Sequence, residues 1–251
     1  MKLGVVGKGG VGKTTTAAMI ATGFHEDGRR VVAIDTDSNP NLGASLGLSD
    51  AEVEAVPVLP RSIIVGRGGD TTVDELIDTY GRSTPAGPTL LSAIKVNEAG
   101  AGCTCAGHAT VRSLLGEALD DHADVTVVDM EAGLEHLSRS GGTLAHADVL
   151  LVIIEPSRKS VITAQRTVRL AAELGIDRVL GVGNKARDEQ DVAFLREACA
   201  EHDVPLAGVL PASGAVRTAD RQGTPVTDVD DPALRAALAA IVADLDPTPV
   251  G

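Results

Sequence analysis

The run GKGGVGKT at residues 7–14 fits the pattern G-x-x-x-x-G-K-[ST]. It stands between a short apolar run, LGVV at 3–6, and an Ala-rich stretch of helical period over 13–26. Strand, loop and helix in that order build a phosphate cradle. Gly9, Gly10 and Gly12 let the backbone around Val11 turn its N–H groups inward, and the positive end of the following helix adds to them. Lys13 is then placed to reach the β and γ phosphates of a nucleotide. Thr14 offers a hydroxyl to Mg²⁺, and Thr15 sits where it meets the α phosphate.

A second constellation lies in GAGCTCAGHATVRSLL at 100–115, which holds two of the chain's three cysteines, Cys103 and Cys105. In extended backbone, residues one apart point the same way, so both thiols can grip one ion while Thr104 points away. A helix predicted over 107–120 presents its positive end to them, which favours thiolates. Two ligands are half a site. Zinc or nickel among thiolates takes four, so a two-fold dimer giving Cys103 and Cys105 from each chain completes an S₄ set on its axis. His108 is either a further ligand or a solvated side chain, and the cysteines read alternatively as reduced residues packed in a loop. Cys199, on the Ala-rich face of FLREACAEH, reads as core.

Carboxylates and an amide close other apolar runs: Asp35 and Asp37 in VVAIDTDSNP, Asp129 in VVDMEAG, and Asn184 in VGNK. Ligands of open α/β sheets bind at the carboxyl ends of strands, although a strand-ending Asp serves equally as a helix N-cap.

The elements that must position these groups follow from the pattern. Val- and Ile-rich runs at 3–6, 30–35, 124–130, 148–154, 178–183 and 204–210 lack polar alternation, as strands covered on both faces do. Helical periods fall between them, at 13–26, 107–120, 159–174, 189–201 and 232–244. The expected fold is α/β: a single domain over 1–251 with a mostly parallel, doubly wound sheet and helices on both faces. Residues 49–88 break the rhythm with PVLP, GRGGD and TPAGP, and read as an irregular insertion with one helical piece near Val73 to Tyr80. A short tail follows residue 246. A net charge of −13 excludes nucleic acid and anionic membrane as partners of a basic surface, and 1% aromatic content leaves little for base stacking. No apolar run approaches a bilayer span, and MKLGVVGKGG lacks the order of a signal peptide, so the expected location is cytoplasmic.

The run KGGVGKT resembles the deviant Walker A signature of the MinD/ParA branch of P-loop ATPases. That resemblance implies a Mg²⁺-dependent ATPase in which Lys8 crosses to the partner's nucleotide, so that ATP joins two chains face to face. It further implies that Asp37 orients the attacking water, that Asp129 holds Mg²⁺ through water, and that Asn184 reads the adenine edge. The C-x-C stretch, together with DMEAGLEHL, VIIEPSRKS and VGNK, narrows the likeness: from Met1 to about Leu210 the chain is similar to the CooC family, accessory ATPases implicated in nickel insertion into carbon monoxide dehydrogenase. The implied function is an ATP-dependent dimerising switch carrying Ni²⁺ or Zn²⁺ at an intersubunit site, with a nickel enzyme as client. Two rival readings are a reductase of the nitrogenase iron protein kind and a positioning ATPase. The first takes a cysteine from the switch, where DMEAG has none. The second needs a basic face, which DPALRAALAAIVADLDP does not supply.

The shared-thiolate reading fixes a stoichiometry. Equilibrium dialysis with elemental analysis should find one Ni²⁺ or Zn²⁺ per dimer; Cys103→Ser or Cys105→Ser should lose it, and Cys199→Ser should keep it. One tightly held ion on a chain that stays monomeric would rule the shared site out.

Overall fold

The computed structural model describes residues 1–60, 72–94, 110–111, 123–131, 144 and 146–245. Their strands are β1 (Lys2–Gly7), β2 (Val31–Asp35), β3 (Arg82–Ser83), β4 (Thr89–Ser92), β5 (Val125–Asp129), β6 (Val149–Ile154), β7 (Val179–Ala186) and β8 (Leu206–Pro211). The helices are α1 (Lys13–Glu26), α2 (Leu42–Ser45), α3 (Asp50–Glu54), α4 (Val73–Tyr80), α5 (Arg158–Glu173), α6 (Glu189–Glu201), α7 (Gly214–Gln222) and α8 (Pro232–Leu245). The strands form one sheet in the order β3-β4-β2-β5-β1-β6-β7-β8, parallel throughout except for β3 against β4.

Neighbouring residues along β1 feed different cores. Val5 belongs to the core that also holds Ala17, Ile20 and Phe24 of α1 and Ile241 of α8, whereas Val6 belongs to the core that holds Val161 and Ala164 of α5 and Leu195 of α6. Coverage on both faces is what makes β1, β2, β5 and β6 read as unbroken apolar runs. Side-chain caps close the helices away from the phosphate loop: Ser157 accepts from the Ser160 N–H at α5, Asp188 from Asp191 at α6, and Ser213 from Val216 at α7. Helix α1 differs, being preceded by Gly12 at φ 94° with no side-chain cap. That left-handed turn suits a residue without a Cβ, and it leaves the first N–H groups of α1 available to a ligand.

The six strands expected from the sequence are all present. In the region expected to be irregular, α4 stands where a helical piece was expected and is capped by a Thr72/Glu75 box, while α3, capped by a Ser49/Glu52 box, and β3 at the sheet edge add structure that the turn signals do not suggest. Immediately after it, β4 extends the sheet, pairing Ile34 with Leu91. A four-residue strand behind Pro88 is too short for its pattern to stand out from a turn, and only pairing with β2 reveals it. Residues 246–251 lie outside the described residues.

Cys199 is 1% exposed inside α6, as its helical face predicts. Beside it in the fold, Gly183 of β7 has so little room that an added Cβ meets Leu195 Cδ1 at 2.8 Å and Val209 Cγ2 at 3.0 Å. Gly183→Ala should therefore cost about 1–3 kcal/mol by overpacking, read as a lowered urea midpoint at unchanged m-value. An unchanged midpoint would show that α6 yields freely.

Candidate nucleotide site

Parallel pairing brings every chemically active strand end to one edge. Asp35 of β2 pairs in register with Asp129 of β5, and Asp129 pairs with Val5 of β1, two residues before the phosphate loop begins at Gly7. Both carboxylates are 1% exposed. Asp35 is satisfied by the backbone, its Oδ2 accepting from Leu42 N at 2.9 Å and its Oδ1 from Asp37 N at 3.0 Å. Burial still outweighs those bonds and raises its pKa to about 6. Asp129 is raised further, to about 8, by burial and by the charge of Asp35 beside it. The Thr14 hydroxyl donates to the Asp129 carboxylate, but Oδ1 of Asp129 has no hydrogen-bond partner.

An orphaned, buried carboxylate oxygen is costly unless something else completes it. Beside a Thr hydroxyl and the phosphate loop, it matches the hard-oxygen environment that Mg²⁺ takes when one or two protein ligands and nucleotide phosphates share it. The residues present therefore fit Mg²⁺ at Thr14 and Asp129. Lys13, 8% exposed, has its pKa lowered by burial, against the pull of Asp129, Asp37 and Glu131.

Asp37 heads a tight loop in which its Oδ1 accepts from Asn39 N at 2.9 Å. On the opposite flank, Lys8 Nζ lies 3.7 Å from Glu155 Oε1, with the Lys8 side chain 43% exposed. Glu155 follows β6 directly, in contact with Ser157 and Ser160 of the α5 N-terminus.

The far wall comes from β7. Asn184 Nδ2 donates to Val11 O at 2.8 Å, and Lys185 Nζ donates to Gly10 O at 2.7 Å. Lys185 holds a left-handed φ of 62° next to a register shift between Gly183 and Ala186. A non-glycine residue kept there is strained, and it is this residue whose side chain reaches the loop. These two bonds fasten the carbonyls of Gly10 and Val11 to β7, while the Val11 N–H turns back to Lys8 O at 3.5 Å. Next to the loop opens a cavity of about 530 Å³, lined by Gly12, Thr15, Asn184, Arg187, Pro211 and Val216 among others. Its volume suits a nucleoside.

Of the residues singled out from the sequence, Lys8, Gly9, Gly10, Val11, Gly12, Lys13, Thr14, Thr15, Asp37, Asp129 and Asn184 converge on this edge. Cys103, Cys105 and His108 lie outside the described residues, and among the described residues no group of three or more His, Cys, Asp or Glu side chains could hold a metal ion. Sequence reasoning overlooked Glu155, Lys185 and the β8–α7 wall. The rule that polar residues at strand carboxyl ends serve the site marks the ends of β6, β7 and β8 as candidates, but which groups they meet follows only from strand order.

These features define a P-loop nucleotide-binding domain. A family model for the CobQ/CobB/MinD/ParA nucleotide binding domain matches residues 5–226. The chain belongs to that family and, within it, to the CooC family: it is 36% identical to the carbon monoxide dehydrogenase accessory protein CooC of Rhodospirillum rubrum, over 99% of this chain and 98% of that one. An uncharacterized ATP-binding protein of Methanocaldococcus jannaschii is 35% identical over 90% of this chain and 91% of its own. Among solved structures, the septum site-determining protein MinD of Pyrococcus horikoshii, complexed with Mg-ADP, superposes with a TM-score of 0.75 at 21% identity, covering 98% of this chain and 95% of that one. At that identity the match speaks for the fold.

The buried carboxylates make stability fall with pH in the absence of nucleotide and magnesium. From about pH 4 to about 8, folded Asp129 keeps a proton that the unfolded chain has released, so its contribution is full below that window and is lost as pH rises through about 8. Asp129→Asn removes this slope. Its melting temperature should exceed that of the wild type at pH 8.5 and approach it near pH 5, since each tenfold difference in proton affinity between folded and unfolded chain is worth about 1.4 kcal/mol. Parallel pH profiles for the two proteins would contradict the buried-proton account.

Proposed function

We propose that the chain is a Mg²⁺-dependent ATPase acting as a dimerising switch in nickel insertion into carbon monoxide dehydrogenase. The observation that carries the nucleotide chemistry is the convergence of an uncapped α1, buried Lys13 and the orphaned Asp129 Oδ1 on one strand edge. The client comes from the relative named as a carbon monoxide dehydrogenase accessory protein, with which nearly the whole chain aligns.

On this reading Gly9 to Thr15 hold the phosphates through backbone N–H groups, with Lys13 clamping the β and γ oxygens. Thr14 and Asp129 hold Mg²⁺, which screens the phosphate charge and draws electron density from the transferring group. Asp37, at the head of its loop, orients water for in-line attack. The base enters the cavity beneath Pro211, and Asn184 exchanges its bond to Val11 O for the adenine edge. Lys8 is held within its own chain by Glu155 at 3.7 Å; leaving that carboxylate for the partner's phosphates joins closure of the dimer to ATP. Cys103 and Cys105 of both chains then meet at the axis and hold the cargo ion, Ni²⁺ or Zn²⁺, whose release follows reopening.

Asp37→Asn separates assembly from turnover. With ATP and Mg²⁺ this variant should stay dimeric by light scattering while hydrolysis falls about 100-fold or more; Lys8→Ala should lose both the dimer and the hydrolysis. A monomeric Asp37→Asn variant, or one with normal turnover, would refute the assigned role.

A further inference from the structure

Two neighbouring segments meet at this edge: the loop after β2, carrying Asp37, and the end of β5 at Asp129 with the residues that follow it. Their roots are locked by Thr36, whose N–H and Oγ1 both donate to Asp129 O, at 3.1 and 2.8 Å, and whose Oγ1 also lies 3.5 Å from Met130 Sδ. All three residues are buried, and Thr36 immediately precedes Asp37 in the chain. Farther out there is a second connection, in which Ser38 Oγ donates to Glu131 Oε1 at 3.1 Å. Ser38 directly follows Asp37, and Glu131 stands two residues beyond Asp129. Glu131 is close enough to the phosphate end for its charge to act on Lys13.

Asp37 is thus fixed from three directions. Its N–H is bonded to Asp35 Oδ1, its carboxylate oxygen receives Asn39 N, and its C-terminal neighbour is tied to the opposite loop. The first two bonds stay within the β2 loop and shape it without saying where it sits relative to the phosphates. Of the three, only the third refers the position of Asp37 to the segment that follows Asp129. We infer that Ser38 and Glu131 are positioning residues for phosphoryl transfer: their hydrogen bond sets the reach of the Asp37 carboxylate toward the water it orients, so that the Asp37 loop and the segment that follows Asp129 move as one unit. Neither residue needs to touch the nucleotide for this. The inference deepens the proposed function and rests on the assignment of Asp37. Misplacement of a reacting group by about 1 Å is enough to cost 100-fold in rate, and a lost clasp of this kind acts on turnover more than on nucleotide affinity.

The test is steady-state ATP hydrolysis by the full chain with Mg²⁺, alongside nucleotide binding measured with a fluorescent ADP analogue. Ser38→Ala and Glu131→Ala should each lower kcat about tenfold, with nucleotide affinity and melting temperature little changed. The double variant should be no slower than either single one, because both remove the same bond. Ser38→Thr and Glu131→Gln keep a hydroxyl and an acceptor and should recover turnover to within about threefold. Independent, multiplying losses in the double variant, equal loss in the conservative pair, or an effect on affinity alone would overturn the clasp. If the wild type hydrolyses ATP and Ser38→Ala matches it, the clasp fails while the ATPase reading stands; if the wild type hydrolyses no ATP, both fail.

Discussion

The site depends on two carboxylates that the sheet forces together. Asp35 and Asp129 end adjacent parallel strands in register, both 1% exposed, and no rotation of a loop can separate them. Backbone N–H groups satisfy Asp35, while Asp129 keeps an orphaned oxygen and, lacking a cation, holds a proton up to about pH 8. Such a pair is tolerated because β1, β2 and β5 are covered on both faces by apolar packing that supplies the stability the site gives up. The orphaned Asp129 oxygen thereby marks the strand edge beside the phosphate loop as the place where the residues present fit a cation.

Around that pair, strands hold the phosphate loop and short loops carry the remaining polar groups. β7 fixes the phosphate loop from outside through Asn184 and Lys185, with the strain placed in Lys185 rather than in the loop itself. The loops after β2 and β5 share their buried root at Thr36 and their outer tie at Ser38 and Glu131. Lys8 points the other way and rests on Glu155 at the start of α5, so the group proposed to reach a partner is one well exposed to solvent.

Much of this was legible in the residues, and what was not has definite causes. The phosphate loop and the strands ending at Asp35 and Asp129 announce themselves because their chemistry and their burial pattern coincide over a few consecutive positions. Strand β4 was hidden because four residues between turn signals carry no period. The partners of Lys8 and of the loop carbonyls, Glu155 and Lys185, were hidden for another reason. They are brought in by strand order, β6 and β7 lying beside β1, and strand order is a property of the whole chain. The Ser38–Glu131 bond likewise spans 93 positions and has no local signature. Cys103 and Cys105 remain known through their spacing alone.

The packing of α8 bears on how the protein is made. Val242 lies against Gly23 of α1, Ile241 and Leu245 share the core of α1, and Arg178 holds the end of α8 through Leu245 O at 2.8 Å and Asp244 O at 2.7 Å. The Asn184–Val11 bond closes a separation of 173 residues. Chains emerge from the ribosome N-terminus first at roughly 5–20 residues per second, so the phosphate loop is synthesised long before the helix that covers its scaffold. At that rate the nascent chain displays its nucleotide signature for about 10–40 seconds before α8 is made. The cover of α1 thus comes last in biogenesis, and a ribosome stalled before α8 would carry a chain in which the face of α1 around Gly23 lacks Val242 and its neighbours.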